Sequence, residues 1–426
     1  MKDIAEIAIK AMREAGADKA QAIVSRAEKT ELNIESGNLS LMRTTFSNSV
    51  SLVAIKDSKK GVSQLGTWDA DAVKAAAGEA VGMAEAGQAD DAYDIALLEE
   101  GPSDFQAGPD VPGDAFLTRV VELQKKVAKD YPKILFTSFL AFNKTEKLIA
   151  NTNGVELSST DGRYSVAFEL SAKDGETVTS ANYLTGECRE LPDDLTELLD
   201  FGKFLDQSMS ELGAKPAGEK FVGEVIFQPE CLFELLQSYA GCFLEDAALI
   251  GQTSLLKDKL GQKVASNTVN LRAIPLNDDI CGTFVSNDGF RVKNMEIIKN
   301  GVLESFMLTQ YGANKTNQKR ALCALPYFEM DAGSVTLDEM IAGTKKGLLL
   351  GGHISGGSPS ENGAFSGVAK NSFLIEDGKV TRPVQETMIS GNVLEIFNNV
   401  VALSEERRNN GMYVLPWLKA GGITIS

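Results

Sequence analysis

The sequence predicts an α+β protein, with a mixed N-terminal region of helices and antiparallel strands and a β-rich C-terminal region carrying one long buried helix. Three observations lead there. Helical apolar periodicities alternate with extended stretches through the first half. Turn dipeptides that favour tight hairpins punctuate the chain: Asn153-Gly154, Asp161-Gly162 and Asp174-Gly175, then Asp288-Gly289, Asn300-Gly301, Asn362-Gly363 and Asp377-Gly378. Nothing repeats at a period of roughly 20 to 50 residues, which excludes a solenoid or propeller.

Residues 3–15 read as an amphipathic helix with Ile4, Ile7, Ala8, Ala11 and Met12 on one face, a capping pattern at Asp3 and Glu6, and Gly16 as its stop. Strands are expected at Ala22–Ala27, Glu31–Glu35 and Ser49–Lys56, then an Ala-rich helix over Asp69–Ala86. Three Pro and three Gly between Gly101 and Gly113 mark a loop or linker. A helix over Asp114–Lys129 leads into hairpins, and another is expected at about Asp193–Leu212. The small, helix-breaking stretch Gly213-Ala-Lys-Pro-Ala-Gly218 then divides the chain into 1–215, with a candidate internal break at 101–113, and 219–426. Two or three domains suit 426 residues at about 150 residues each. Beyond the boundary come a strand (Phe221–Phe227), a helix opened by Pro229, and many short strands.

With 43% apolar and 24% charged residues the composition is that of a globular chain, not of a disordered, collagenous or coiled-coil one. A net charge of -17 repels nucleic-acid phosphates, and no basic patch offsets it. The five cysteines (Cys188, Cys231, Cys242, Cys281, Cys323) form no C-x-x-C pair, so neither a zinc ribbon nor a disulfide framework is indicated. No apolar run approaches the ~18 residues of a membrane span, and the charged N-terminus lacks a signal-peptide core. The expectation is a reduced, cytoplasmic protein with no membrane or nucleic-acid partner.

Catalytic options are limited by a single histidine, His353, in the loop Gly351-Gly-His-Ile-Ser-Gly-Gly357. A multi-histidine metal site within one chain is thereby excluded. The Gly-rich loop matches neither nucleotide-binding fingerprint, and the G-x-S-x-G elbow is missing. Ser254-Leu-Leu-Lys257 fits S-x-x-K, a pattern too short to carry weight. In the Pro229 helix Leu232, Leu235, Leu236, Tyr239, Cys242, Phe243 and Leu249 recur as a core stripe, with Cys242 read as a small apolar filler.

At this helix the chain resembles the TldD/PmbA family, which carries the label of modulator of DNA gyrase. Zinc-bearing TldD-type members have a helix close to H-E-A-C-G-H-G-L-E, where the histidines bind zinc and the glutamate is the base. Here the matching residues are Gln237-Ser-Tyr-Ala-Gly-Cys-Phe-Leu-Glu245. Gly241, Leu244 and Glu245 are retained; Gln237 and Cys242 replace the histidines, and Ser238 replaces the glutamate. The likeness continues through Gly261-Gln-Lys-Val-Ala-Ser266, Asn287-Asp-Gly289, Ile297-Ile-Lys-Asn-Gly-Val-Leu303, Leu374-Ile-Glu-Asp-Gly-Lys-Val-Thr-Arg-Pro-Val384, Ile389-Ser-Gly-Asn392 and Gly421-Gly422. It is weaker in the N-terminal half, resting on Gly61–Ala86 and Ile149-Ala-Asn-Thr-Asn-Gly154.

The cysteine that would complete a TldD-type zinc site is missing from Glu405-Glu-Arg-Arg-Asn-Asn410. Positions i and i+5 also lie about 140° apart on a regular helix, so a family site must bend it, and Gly241 is read as the remnant of that bend. The resemblance therefore implies no catalytic or metal-binding residue in this chain, no cofactor of its own, and zinc only in a TldD-like partner. Its first functional reading is a non-catalytic, TldE/PmbA-type subunit of a cytosolic metallopeptidase that processes unfolded peptides, as homodimer or heterodimer. The alternatives are a stand-alone homodimer that binds extended polypeptide by strand addition, and chemistry rebuilt on Cys242 or His353.

Overall fold

The computed structural model describes residues 1–426. Its first sheet is built from β1 (Lys19–Glu35), β2 (Asn38–Lys56), β3 (Lys59–Leu65), β4 (Asp104–Ala107), β5 (Ile134–Asn151), β6 (Glu156–Asp174), β7 (Thr177–Val178) and β8 (Asn182–Cys188). The order is β3-β2-β1-β5-β6-β4, with β7 and β8 added to β6. Only the β4–β6 pair is parallel. Helices α1 (Lys2–Glu14) and α2 (Ala70–Ala86) bury small residues such as Ala8, Ala77 and Ala80, together with Met12, against one end of the sheet. Helices α3 (Phe116–Asp130) and α4 (Phe201–Ser210) cover the other with Val120, Leu123, Phe201 and Leu205.

Local chemistry accounts for these limits. Asp69 caps α2, accepting from the Ala72 N–H at 2.9 Å. Helix α1 starts one residue before Asp3, which lies in its first turn and does not cap it, and Gly16 at φ +99° ends the segment. The strands run longer than their apolar patterns indicate. Over Glu28–Glu35 of β1 and Asn38–Phe46 of β2 both ladders continue through polar pairs such as Glu31 with Arg43, joined at 2.6 Å. The β2 half of this arm faces water, so no inside–outside alternation marks it in the sequence.

Two sequence expectations need correction. Asp161-Gly162 is no turn; it lies inside β6, and glycine is required because a Cβ there would sit 1.8 Å from the Pro109 carbonyl oxygen of the crossing loop. The segment from Asp193 is not a continuous helix either. Leu199 and Asp200 take left-handed φ of 57°, and α4 begins only after them.

The C-terminal sheet contains β9 (Phe221–Phe227), β10 (Leu271–Ala273), β11 (Met295–Lys299), β12 (Val302–Leu303), β13 (Phe328–Met330), β14 (Lys346–Leu350), β15 (Ile354–Ser355) and β16 (Ala364–Ala369). It is completed by β17 (Ser372–Glu376), β18 (Lys379–Val384), β19 (Met388–Asn392), β20 (Val400–Asn409) and β21 (Val414–Ile425). β21 is its hub, pairing with β9, β13, β19 and β20. The β9–β14 and β13–β21 pairs are parallel, so the sheet is mixed. Helices α5 (Pro229–Phe243), α6 (Asp246–Ile250), α7 (Gln310–Thr316), α8 (Leu337–Ala342) and α9 (Val393–Asn398) pack among these strands. Asn300-Gly301 and Asp377-Gly378 do form hairpin turns, with positive φ at both residues in each. The fold is α+β, as the sequence predicts.

Gly213–Gly218 passes between the two sheets, but it is no free tether: the Arg382 guanidinium donates to the carbonyls of Lys215 at 3.0 Å and Pro216 at 2.9 Å. The stretch 101–113 likewise contains β4. Polar bonds also lock the halves together. Arg163 on β6 reaches Asp161, Glu187 and the carbonyls of Cys281 and Gly282, while Arg189 donates to the Ile280 carbonyl at 2.6 Å.

Between β8 and the Lys370 loop sits Glu211, 8% exposed, whose carboxyl is pushed up to about 7. Burial causes the rise, and Asn182 and Lys370 pull the other way. Below about pH 4.5 the carboxyl is neutral folded or unfolded, so its contribution is fully retained. It is lost as pH climbs to 7, because only the unfolded chain then ionises freely. Urea unfolding should show about 3 kcal/mol of stability lost between pH 4.5 and 7 through this group, and Glu211→Gln should flatten that slope.

Candidate functional site at the first turns of helix α5

Pro229 opens α5 because it needs no N–H partner there and its φ is already helical. Cys231, Leu232, Leu235, Leu236, Tyr239, Ala240 and Phe243 are buried in the largest apolar core of the molecule. The opposite stripe is polar. Glu230, Glu234 and Gln237, at i, i+4 and i+7, share one face and look into a cavity of about 370 Å³. Its other walls come from distant chain: Tyr183 and Thr185 of β8, His353 after β14, and Asn410 and Tyr413 of the β20–β21 turn.

Hydrogen bonds hold these walls in place. The Glu187 N–H donates to the Asn410 carbonyl and the Cys281 N–H to that of Gly411, each at 2.7 Å, so β8 is stitched to the turn. Asn410 shapes the turn itself, its Oδ1 accepting from the N–H groups of Met412 and Tyr413 at 3.0 and 3.1 Å. Glu230 accepts from Arg408 at 2.6 Å through Oε1, and the same guanidinium reaches Asp200 at 3.0 Å. Phe233 packs on Tyr413 with ring centres 4.7 Å apart, and Tyr183 lies 6.2 Å from the His353 ring.

The electrostatics are acidic. Glu234 has no cationic partner; although open to the cleft water, it is held above the ordinary carboxylate range by burial among the walls, partly offset by the Ile354 N–H. Burial raises the Tyr413 phenol, and the Glu230 charge adds to that. His353 is shifted down by burial and by Lys370, favouring the uncharged ring.

Of the residues singled out in the sequence, Gln237 alone of the replaced trio lines this cavity. Ser238 is half-buried beside it. Cys242 lies away from His353, its thiol donating to the Ser360 carbonyl at 3.6 Å, and burial with Glu245 and Glu361 raises its pKa. A thiol held protonated is a weak nucleophile. Gly241 marks no bend: α5 stays helical to Phe243 and a Cβ at Gly241 would meet open space. The break comes at Leu244, where the N–H groups of Leu244 and Glu245 share the Ala240 carbonyl. The core stripe that runs to Leu249 in the sequence is therefore carried by two helices, with Glu245 at the start of α6.

Zinc does not fit these positions. An amide, a hydroxyl and a protonated thiol are poor donors for catalytic zinc, which takes imidazole, thiolate or carboxylate ligands. No group of three or more His, Cys, Asp and Glu side chains is arranged to hold a metal ion. No helix is long and apolar enough to cross a membrane.

Residues 221–426 match the model of the PmbA/TldA metallopeptidase C-terminal domain, which covers the cavity-bearing half. The C-terminal region, residues 221–426, is of the PmbA/TldD family. It is 28% identical over 196 residues to a metalloprotease of Methanothermobacter thermautotrophicus, a match covering 43% of each chain. With the metalloprotease PmbA of Escherichia coli O157:H7 it shares 26% over 206 residues, 46% of this chain and 45% of that one. The chain thus matches less than half the length of these curated relatives. The crystal structure of TldE from Thermococcus kodakarensis superposes with a TM-score of 0.82 at 20% identity, covering 99% of this chain and 100% of that one. At that identity the likeness is one of fold, and the shared fold runs through the N-terminal half as well.

Glu230, Glu234, Tyr183 and Tyr413 were not candidates from the sequence. The polar i, i+4, i+7 stripe on an otherwise apolar helix was the available signal for the two glutamates. Nothing local marks the two tyrosines, which only the packing of the two sheets brings together.

Proposed function

We propose that this chain is a non-catalytic subunit of a PmbA/TldD-type peptidase, in which a TldD-like chain supplies zinc and hydrolysis and this chain contributes binding surface for unfolded peptide. One observation carries the reading: the helix that aligns with the zinc helix presents Gln237 to a cavity while Cys242 turns away from it. A cavity lies along this helix, and the residues at its motif positions are not zinc ligands. Purified alone, the chain should hold well under one zinc per molecule and leave unstructured peptides intact. Adding a TldD-like chain should give a heterodimer by native mass, with peptide cleavage restored. A stoichiometric zinc lost on Cys242→Ala, or a monomer at micromolar concentration indifferent to the partner, would overturn the proposal.

A second reading, independent binding of extended polypeptide by strand addition, is favoured by the arm of β2. Strand β3 pairs only with Val50–Lys56, so the outer edge of β2 before that has no neighbouring strand, and Met42 and Phe46 lie exposed on it. Peptide binding by the chain alone that is abolished when prolines are placed in this edge would favour that reading.

A further inference from the structure

We infer that the cavity between strands β5 and β6 and the 282–284 loop is a subsite for a carboxylate of the bound peptide, its C-terminus or an acidic side chain, received by Lys147, Thr145 and Ser159. This deepens the peptide-binding reading above and rests on it.

Strand register builds the site. β5 and β6 pair Lys147 with Ser159, Thr145 with Asp161 and Asn143 with Arg163, and residues two apart share a face, so all six stand on one side of the sheet. There they line a cavity of about 450 Å³, bounded opposite by Gly282, Thr283 and Phe284 of the C-terminal half. Phe284 is the one apolar residue in its wall, so the lining suits a polar ligand.

Lys147 carries the inference. It is half-buried and forms no ion pair; its ammonium donates once, to the Asn287 side-chain oxygen at 3.0 Å. Burial lowers its pKa, and no carboxylate opposes that shift. The other charges around the cavity cancel. Arg163 donates to Asp161 at 2.5 Å and to Glu187 at 2.7 Å, and Arg189 reaches the second Asp161 oxygen at 3.2 Å. Two guanidiniums thus meet two carboxylates, and Lys147 is left as the unmatched charge.

One unmatched cation selects a monoanion. A dianionic phosphate would set a second charge against Asp161 and Glu187, and a cationic ligand would meet Lys147. The donors agree in number. Lys147 has two N–H groups left, and Thr145 and Ser159 line the cavity with hydroxyls that no protein group engages, which together match the roughly four acceptor sites of a carboxylate. Strand β8 ties the cavity to the one beside α5: Thr185 lines that one and Glu187 this one, two residues apart on the same face and about 7 Å along the strand. An extended peptide in the first cavity reaches the second within about two or three of its residues.

The test measures binding of the full chain, at fixed ionic strength, to an N-terminally labelled, unstructured peptide with its C-terminus free or amidated, and to the amidated peptide carrying one Glu or Gln. N-acetylalanine and its methylamide are titrated in parallel, with inorganic phosphate as competitor. The carboxylate-bearing peptide should bind about tenfold more tightly than its neutral counterpart. The chain's net charge of -17 works against that preference, so its appearance reports a local cation. Preference for the free C-terminus assigns the terminus; preference for Glu over Gln assigns a side chain. Lys147→Met, and separately Thr145→Val combined with Ser159→Ala, should each shrink the preference to within about threefold while circular dichroism and the urea midpoint stay native. The double variant leaves the Lys147–Asn287 bond in place, so it decides the matter if Lys147→Met does not fold.

Peptide binding with no carboxylate preference, or with one that both variants leave intact, would overturn this inference and spare the peptide-binding reading. Lys147-dependent binding of N-acetylalanine with no peptide bound would do the reverse. Phosphate that displaces the peptide as readily as N-acetylalanine does would overturn the choice of a carboxylate. If neither peptide nor N-acetylalanine binds, both readings fall.

Discussion

Replacing Arg163 with Met should destabilise the folded chain by about 3–5 kcal/mol, the range for breaking a buried ion pair from one side. Arg163 is 18% exposed and serves four acceptors at once. It donates to Asp161 at 2.5 Å, Glu187 at 2.7 Å and the Gly282 carbonyl at 3.1 Å, and it also bonds the Cys281 carbonyl. Its removal leaves two carboxylates facing each other with only Arg189 nearby, and frees two carbonyls of the 280–282 loop. Lysine keeps the charge but cannot span four acceptors with one ammonium, so Arg163→Lys should recover less than half of the loss. Urea denaturation at pH 7 measures both. A change below about 1 kcal/mol for Arg163→Met would show that this network is solvated and that the two sheets are held mainly by apolar contacts such as Phe105 on Phe284.

Gly411→Ala should cost at least about 3 kcal/mol and, under the proposed peptide-binding role, remove that binding with it. Two independent penalties meet there. Its φ of +83° is strained for an L side chain, and a Cβ would lie 1.9 Å from the Glu187 carbonyl oxygen, where backbone has to move. That movement would part β8 from the turn carrying Asn410 and Tyr413, opening the cavity along its seam. Gly241→Ala provides the contrast within the family motif. It sits at a regular helical position with open space around it, so alanine should be neutral or stabilising by about 0.5–1 kcal/mol. Equal destabilisation by the two substitutions would contradict the geometry at Gly411.

The polar arm shows where sequence reading stops in the fold. Strand β2 is visible in the sequence where one face is buried, as at Val50, Leu52 and Ala54, and vanishes over Asn38–Ser49, which is mostly exposed. Burial writes the alternation, so a strand with little burial leaves no period. Asp161-Gly162 misleads for a related reason: the dipeptide reads as a turn, but its glycine answers to a crossing loop distant in sequence. At α5 the apolar stripe marks the buried face correctly, and the end of the helix at Leu244 does not appear in it, because α6 continues nearly the same apolar spacing.

The sequence by itself determined the α+β class, the family and the replacement of both histidines by Gln237 and Cys242, since each rests on residue identity or on local periodicity. Tertiary structure alone decided that Gln237 faces a cavity while Cys242 does not, and that Glu230 and Glu234 meet Tyr183, His353 and Tyr413 there. The physical reason is that the cavity closes between two sheets, through backbone bonds such as Glu187 to Asn410 whose partners carry no side-chain signature. A helix pattern records which face is buried; which distant groups stand opposite the exposed face is set by how the sheets dock.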